Sequence, residues 1–98
     1  MVRIPVDREG IVEFCRRNGI RRLALFGSVL RDDFRPDSDV DVLVEFEPGT
    51  GVGLRFFAME RELSRLIGRS VDLNTSGFLS DEILRDVLAE AEDLYVAA

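Results

Sequence analysis

Apolar positions along this 98-residue chain alternate between a helical rhythm and a strand rhythm. Ile11, Phe14 and Cys15 recur at helical spacing, with Glu13, Arg16 and Arg17 outside the stripe. The pattern predicts a helix capped by Asp7, running to about Asn18 and stopped by Gly19. Arg21 to Phe26 reads as the first strand. Gly27 breaks it, and Ser28 to about Asp33 forms a short helix or turn. Pro36-Asp37-Ser38 is a turn signal. Asp39 to Phe46 is the second strand, with Val40, Leu43 and Val44 for the core, and Glu47-Pro48-Gly49-Thr50-Gly51 ends it.

From Val52 to Ile67 the helical period returns through Phe56, Met59, Leu63, Leu66 and Ile67, and Gly68 closes that helix. Phe56 and Phe57 cannot share one face centre, so one of them lies at the edge of the stripe. Arg69 to Asn74 forms a short third strand with Val71 and Leu73 on one face and Asp72 on the other. Ser80 caps the last helix, Asp81 and Glu82 suit its positive end, and Ile83, Leu84, Val87, Leu88 and Ala91 form its buried stripe. An apolar tail, Leu94-Tyr95-Val96-Ala97-Ala98, follows, whose side chains either mark an interface or, for some of them, pack back on the core. The predicted order is α-β-α-β-α-β-α, with the last helix closing the chain. This is an α/β (α+β) fold with a mixed sheet of three to four strands flanked by helices.

Composition narrows the function classes. The length predicts one domain over residues 1–98 with a single core. A net charge of −6 argues against a basic groove and hence against direct nucleic acid binding. The absence of histidine excludes imidazole general bases and His-ligated zinc. Cys15 is the sole cysteine, which excludes an internal disulfide and suggests a small buried hydrophobe. With no apolar stretch near the ~18 residues of a membrane span and no signal-peptide core at Met1-Val2-Arg3-Ile4-Pro5, a cytoplasmic protein without membrane contact is expected.

The stretch from Leu25 to Phe46 carries the candidate chemistry. A strand ending in Gly27-Ser28 and entering a helical turn offers backbone N–H groups and a hydroxyl to a phosphate. Asp39 and Asp41, two residues apart, share a face, with Cα atoms roughly 6.5 Å apart. That spacing suits carboxylates gripping one Mg²⁺ or two. Gly27-Ser28 ends one strand and the aspartates open the next, so a shared site requires these strands to run antiparallel. The long helix between the second and third strands is the usual crossover between parallel neighbours, which brings Asp72 beside Asp39 and Asp41. A phosphate cradle beside three carboxylates fits phosphoryl or nucleotidyl transfer from a Mg-nucleotide. Plainer roles compete. Ser28 can be an N-cap, Asp72 can pair with Arg69, and Arg31 can neutralise phosphate or pair with Asp33 or Asp37.

The string Phe26-Gly27-Ser28-x-x-Arg31 followed by Ser38-Asp39-x-Asp41-x-Leu43-Val44 resembles the signature of the DNA polymerase beta-like nucleotidyltransferase superfamily, and within it the minimal nucleotidyltransferase (MNT, MntA-like) branch. The resemblance covers nearly the whole chain. It implies the small nucleotidyltransferase fold and Mg²⁺-dependent transfer of a nucleoside monophosphate, AMP from ATP, with pyrophosphate leaving. It further implies that Gly27 and Ser28 hold the triphosphate, that Asp39 and Asp41 bind metal, and that Asp72 completes the site. The branch usually has Ala-Arg-Gly where this chain has Leu30-Arg31-Asp32, which adds a carboxylate near an anionic substrate. The resemblance also implies a partner, a helical HEPN-domain ribonuclease toxin that the MNT antitoxin adenylylates, and hence a hetero-oligomer. Two other functions fit the same residues. One is an antitoxin acting by binding alone. The other is a small-molecule nucleotidyltransferase, which the length argues against because no domain is left to grip the acceptor.

Overall fold

Asp7 starts the first helix by accepting a hydrogen bond from Gly10 N at 3.1 Å, and α1 runs over Arg8–Arg17. A computed structural model describes residues 5–31 and 34–97. Met1 to Ile4, Asp32, Asp33 and Ala98 lie outside the described residues, and with them the far end of the expected Ser28–Asp33 turn and the start of the N-terminal segment. Ile11, Phe14 and Cys15 point inward from α1 as their spacing requires. Burial pushes the Cys15 thiol up to about 12, so it is inert packing at neutral pH.

Strand β1, Ile20–Phe26, ends in a 3₁₀ turn over Gly27–Leu30. Strand β2, Val40–Phe46, pairs antiparallel with β1, and Phe26 lies opposite Asp41. Helix α2, Arg55–Ile67, then crosses over to strand β3, Val71–Thr75, which pairs parallel with β2 so that Asp41 lies beside Asp72. Both strand directions are those that a shared site requires. Along α2, Phe56, Met59, Leu63 and Ile67 are buried, and Phe57 is the edge residue at 59% exposure. Gly68 ends the helix at φ +76°, a left-handed conformation in which a Cβ would be strained.

The chain does not close on a helix. Helix α3, Asp81–Glu90, is capped by Ser80, which accepts from Ile83 N at 3.3 Å. The next residues form β4, Glu92–Val96, pairing antiparallel with β1. The sheet order is β3-β2-β1-β4, a mixed four-stranded sheet. The predicted tail is thus partly core: Leu94 is buried and Val96 remains exposed. Edge strand β3 is blunted by α2, since Ser64 Oγ accepts from Val71 N at 3.1 Å and Glu60 Oε2 accepts from Leu73 N at 2.9 Å.

One sheet face packs on α1 and α2, burying Leu23, Leu25, Val40, Val42, Val44, Val71 and Leu73 with Phe14, Met59 and Leu63. Strand alternation sends Ala24, Asp41 and Leu43 to the other face. Ala24, Leu43 and Val87 are buried apart from the main cluster. The wide buried stripe expected on α3 is therefore corrected. Val87 alone is buried there, Ile83 is 52% exposed and Leu88 42%, and Ala91 is the extended C-cap. On that face half-buried Phe26 stands beside Ala24 and Leu43.

Candidate active site

Three strand ends build the site. The end of β1 supplies Gly27, the start of β2 supplies Asp41 with Asp39 just before it, and the start of β3 supplies Asp72. Laterally paired residues of a sheet share a face at about 4.8 Å spacing, so Asp41 and Asp72 present their carboxylates side by side. Gly27 adopts φ +76°, and a Cβ there would collide with Asp41 Oδ2. The left-handed backbone favours glycine here, and any Cβ would also push the Asp41 carboxylate aside.

The carboxylates disfavour one another. The acidity of Asp41 is weakened, its pKa raised first by burial, then by the charges of Asp72 and Asp39; Arg31 opposes this and Glu90 adds to it. Among the described residues no group of three or more His, Cys, Asp or Glu side chains is gathered closely enough to hold an ion. The donor set, hard carboxylate oxygens on one sheet face, is the chemistry that suits Mg²⁺.

The other candidates fall into place differently. Ser28 is not an N-cap: Phe26 holds that position and no side chain caps the turn. Ser28 lies inside the first turn, half-buried, and its carbonyl accepts from Arg31 N at 2.9 Å. Among the described residues the partner of Arg31 is Glu90 and not Asp37. Asp33, the other expected partner, is outside the described residues; the guanidinium contacts Glu90 with Nη2 at 3.2 Å from Oε1 and 3.0 Å from Oε2. Glu90 Oε1 also accepts from Gly27 N at 3.1 Å. Arg69 does not hold Asp72. It donates to Pro36 O at 3.0 Å and stacks over the Phe34 ring at 4.9 Å, tethering the loop that leads to Asp39.

Glu90 is the residue of this site that sequence reasoning missed. It stands in the run Ala89-Glu90-Ala91-Glu92-Asp93, with no motif to distinguish it from a solvated helix end. A cavity of about 490 Å³ lies at the opposite end of the sheet, lined by Val44, Phe46, Phe56 and Thr75, away from the carboxylates. No helix among the described residues is long and apolar enough to cross a membrane.

Comparison with known proteins bears on this geometry. Residues 8–94 match the family described as nucleotidyltransferase domain. The protein adenylyltransferase MntA of Thermococcus cleftensis is 40% identical over 78 residues, covering 80% of this chain and 78% of that protein. A solved structure described as a minimal nucleotidyltransferase is 38% identical, with a TM-score of 0.73, covering 87% of this chain and 86% of that one. The same fold occurs in the structure of a tri-AMPylated Shewanella oneidensis HEPN toxin in complex with MNT antitoxin. There the matched chain is 20% identical with a TM-score of 0.66, covering 92% of this chain and 70% of that one.

Proposed function

This chain belongs to the nucleotidyltransferase domain family, in its minimal, MntA-like branch, and from that premise we propose that it transfers AMP from ATP to a hydroxyl of a partner protein. The observation that carries this reading is the packing of the Gly27 turn against Asp41, with Asp72 beside it, at one end of the sheet. The Thermococcus relative is named a protein adenylyltransferase, and the Shewanella protein of the same fold is an MNT antitoxin bound to an AMPylated HEPN toxin. By analogy the partner proposed here is a HEPN-domain toxin, and this chain its antitoxin.

The proposed roles follow from position. Asp39, Asp41 and Asp72 would hold one or two Mg²⁺ ions. Bound there, Mg²⁺ neutralises the triphosphate and lowers the pKa of the attacking hydroxyl. Gly27 N–H and Ser28 take phosphate oxygens, and Arg31 adds a fixed positive charge beside them. The acceptor oxygen attacks the α-phosphorus in line, and a new P–O bond forms. The bond from the α-phosphorus to the oxygen bridging to the β-phosphate breaks, and pyrophosphate leaves carrying that electron pair. The hydroxyl proton passes to Asp72, since the chain has no histidine. Catalysis comes from positioning and charge neutralisation.

The test is mass spectrometry of the partner after incubation with this chain, ATP and Mg²⁺. A gain of AMP on a hydroxyl, expected to be tyrosine, supports the proposal. An unmodified partner that is still fully inhibited would replace it with an antitoxin that acts by binding alone.

A further inference from the structure

Glu90 is the last residue of α3, and intrinsic preferences argue against a carboxylate there. A helix C-terminus carries partial negative charge, and the last turn of α3 contains no basic residue. The three aspartates stand nearby, and Glu90 is among the charges that weaken the acidity of Asp41. What holds Glu90 in place is the cradle itself: the Gly27 N–H at 3.1 Å and both carboxylate oxygens on Arg31 Nη2 at 3.0 and 3.2 Å. A backbone N–H and a guanidinium converging on an oxyanion form the recognition chemistry of a phosphate. The carboxylate makes the contacts that a phosphate would make.

We propose that Glu90 is a built-in competitor for the triphosphate, occupying the Gly27–Arg31 cradle until nucleotide displaces it and so setting nucleotide affinity. This rests on the reading that the Gly27 turn is the phosphate site. Displacement needs little rearrangement, because the Glu90 side chain is 37% exposed and can swing to solvent about its own rotatable bonds. It frees the Gly27 N–H and Arg31 together, so the incoming phosphate inherits both donors at once. It also removes a negative charge from the path of a polyanion.

The experiment is calorimetric titration of the full chain with ATP and, separately, with inorganic tripolyphosphate. The proteins compared are the unaltered chain, Glu90→Gln, Glu90→Ala and Gly27→Val. The Arg31–Glu90 pair is partly exposed and screened, so its loss should tighten binding by roughly two- to fivefold in both Glu90 variants, for both ligands. Direction is decisive here. A residue that merely positions Arg31 or anchors α3 would weaken binding when removed. Unchanged or weaker binding in both Glu90 variants, with ATP binding lost in Gly27→Val, overturns the competitor and leaves the phosphate cradle standing. ATP binding that survives Gly27→Val overturns the cradle and the competitor with it. So does a chain that binds neither ligand in any form.

Discussion

At the scale of single residues the site is decided by Gly27 and Asp41. Gly27 holds a left-handed backbone conformation directly beneath the Asp41 carboxylate. Gly27→Ala should therefore cost about 1–2 kcal/mol in urea denaturation, combining backbone strain with the displaced aspartate. The larger Gly27→Val should also abolish ATP binding. Asp41 contributes the opposite sign. Its pKa is raised in the fold, so the native state binds more protons than the unfolded state above the ordinary aspartate pKa. Stability then falls as pH rises through that window, and at neutral pH ionised Asp41 destabilises the metal-free protein. Asp41→Asn should melt higher than the unaltered chain at pH 7 without metal, and the advantage should vanish in acid, where the Asp41 carboxyl is protonated. Mg²⁺ or Mn²⁺ should raise the melting temperature of the unaltered chain, through binding to the native state alone. An equal metal-induced rise in Asp41→Asn would remove Asp41 from the proposed metal site.

At the scale of elements the contrast lies between α2 and α3. Helix α2 buries four side chains and caps the outer N–H groups of β3 with Ser64 and Glu60. Helix α3 buries Val87 alone and depends on the Ser80 cap and the Glu90 contacts. Local opening follows buried apolar contact, so the amides of α3 should exchange with deuterium well before those of α2. Ser80→Ala, which removes the cap at a cost of about 1 kcal/mol, should speed exchange further in α3 and leave α2 unchanged. Equal protection of the two helices would show that α3 is held more firmly than its burial implies. A loosely held α3 also suits an element whose last side chain has to leave the cradle.

At the scale of the whole molecule the question is how a small domain grips an acceptor. In the proposed reaction the partner docks on this domain's own surface. Large apolar side chains remain exposed at Leu54, Phe57, Ile83, Leu88 and Val96. Binding and chemistry are then separable. Asp39 stands exposed before β2, outside the packed core, so Asp39→Asn should leave the fold and the complex with a HEPN-domain partner intact. AMP transfer should fall by at least about a hundredfold, as expected for losing a ligand of an electrostatic catalyst. Size-exclusion chromatography checks the complex and mass spectrometry checks the transfer. Full transfer by Asp39→Asn would place the metal on other residues.

The sequence by itself determined the parts whose physics is local. Helix starts at Asp7 and Ser80 follow from side chains that cap their own backbone, and the stop at Gly68 from a conformation that glycine tolerates. The two-residue period of a strand puts Asp41 and Asp72 on the face away from Val42 and Leu73, and one long crossover helix makes their strands parallel. Those rules were enough to bring Gly27, Asp41 and Asp72 together. Tertiary structure alone decided what each apolar or charged surface would meet. Periodicity shows that α3 has an apolar stripe, but not that Val87 alone of that stripe would be buried. The tail carries no turn signal announcing β4, because its pairing with β1 is made across most of the chain. Glu90 is 63 residues from Gly27 and 59 from Arg31, and only the return of the chain past the end of β1 sets that carboxylate on the cradle.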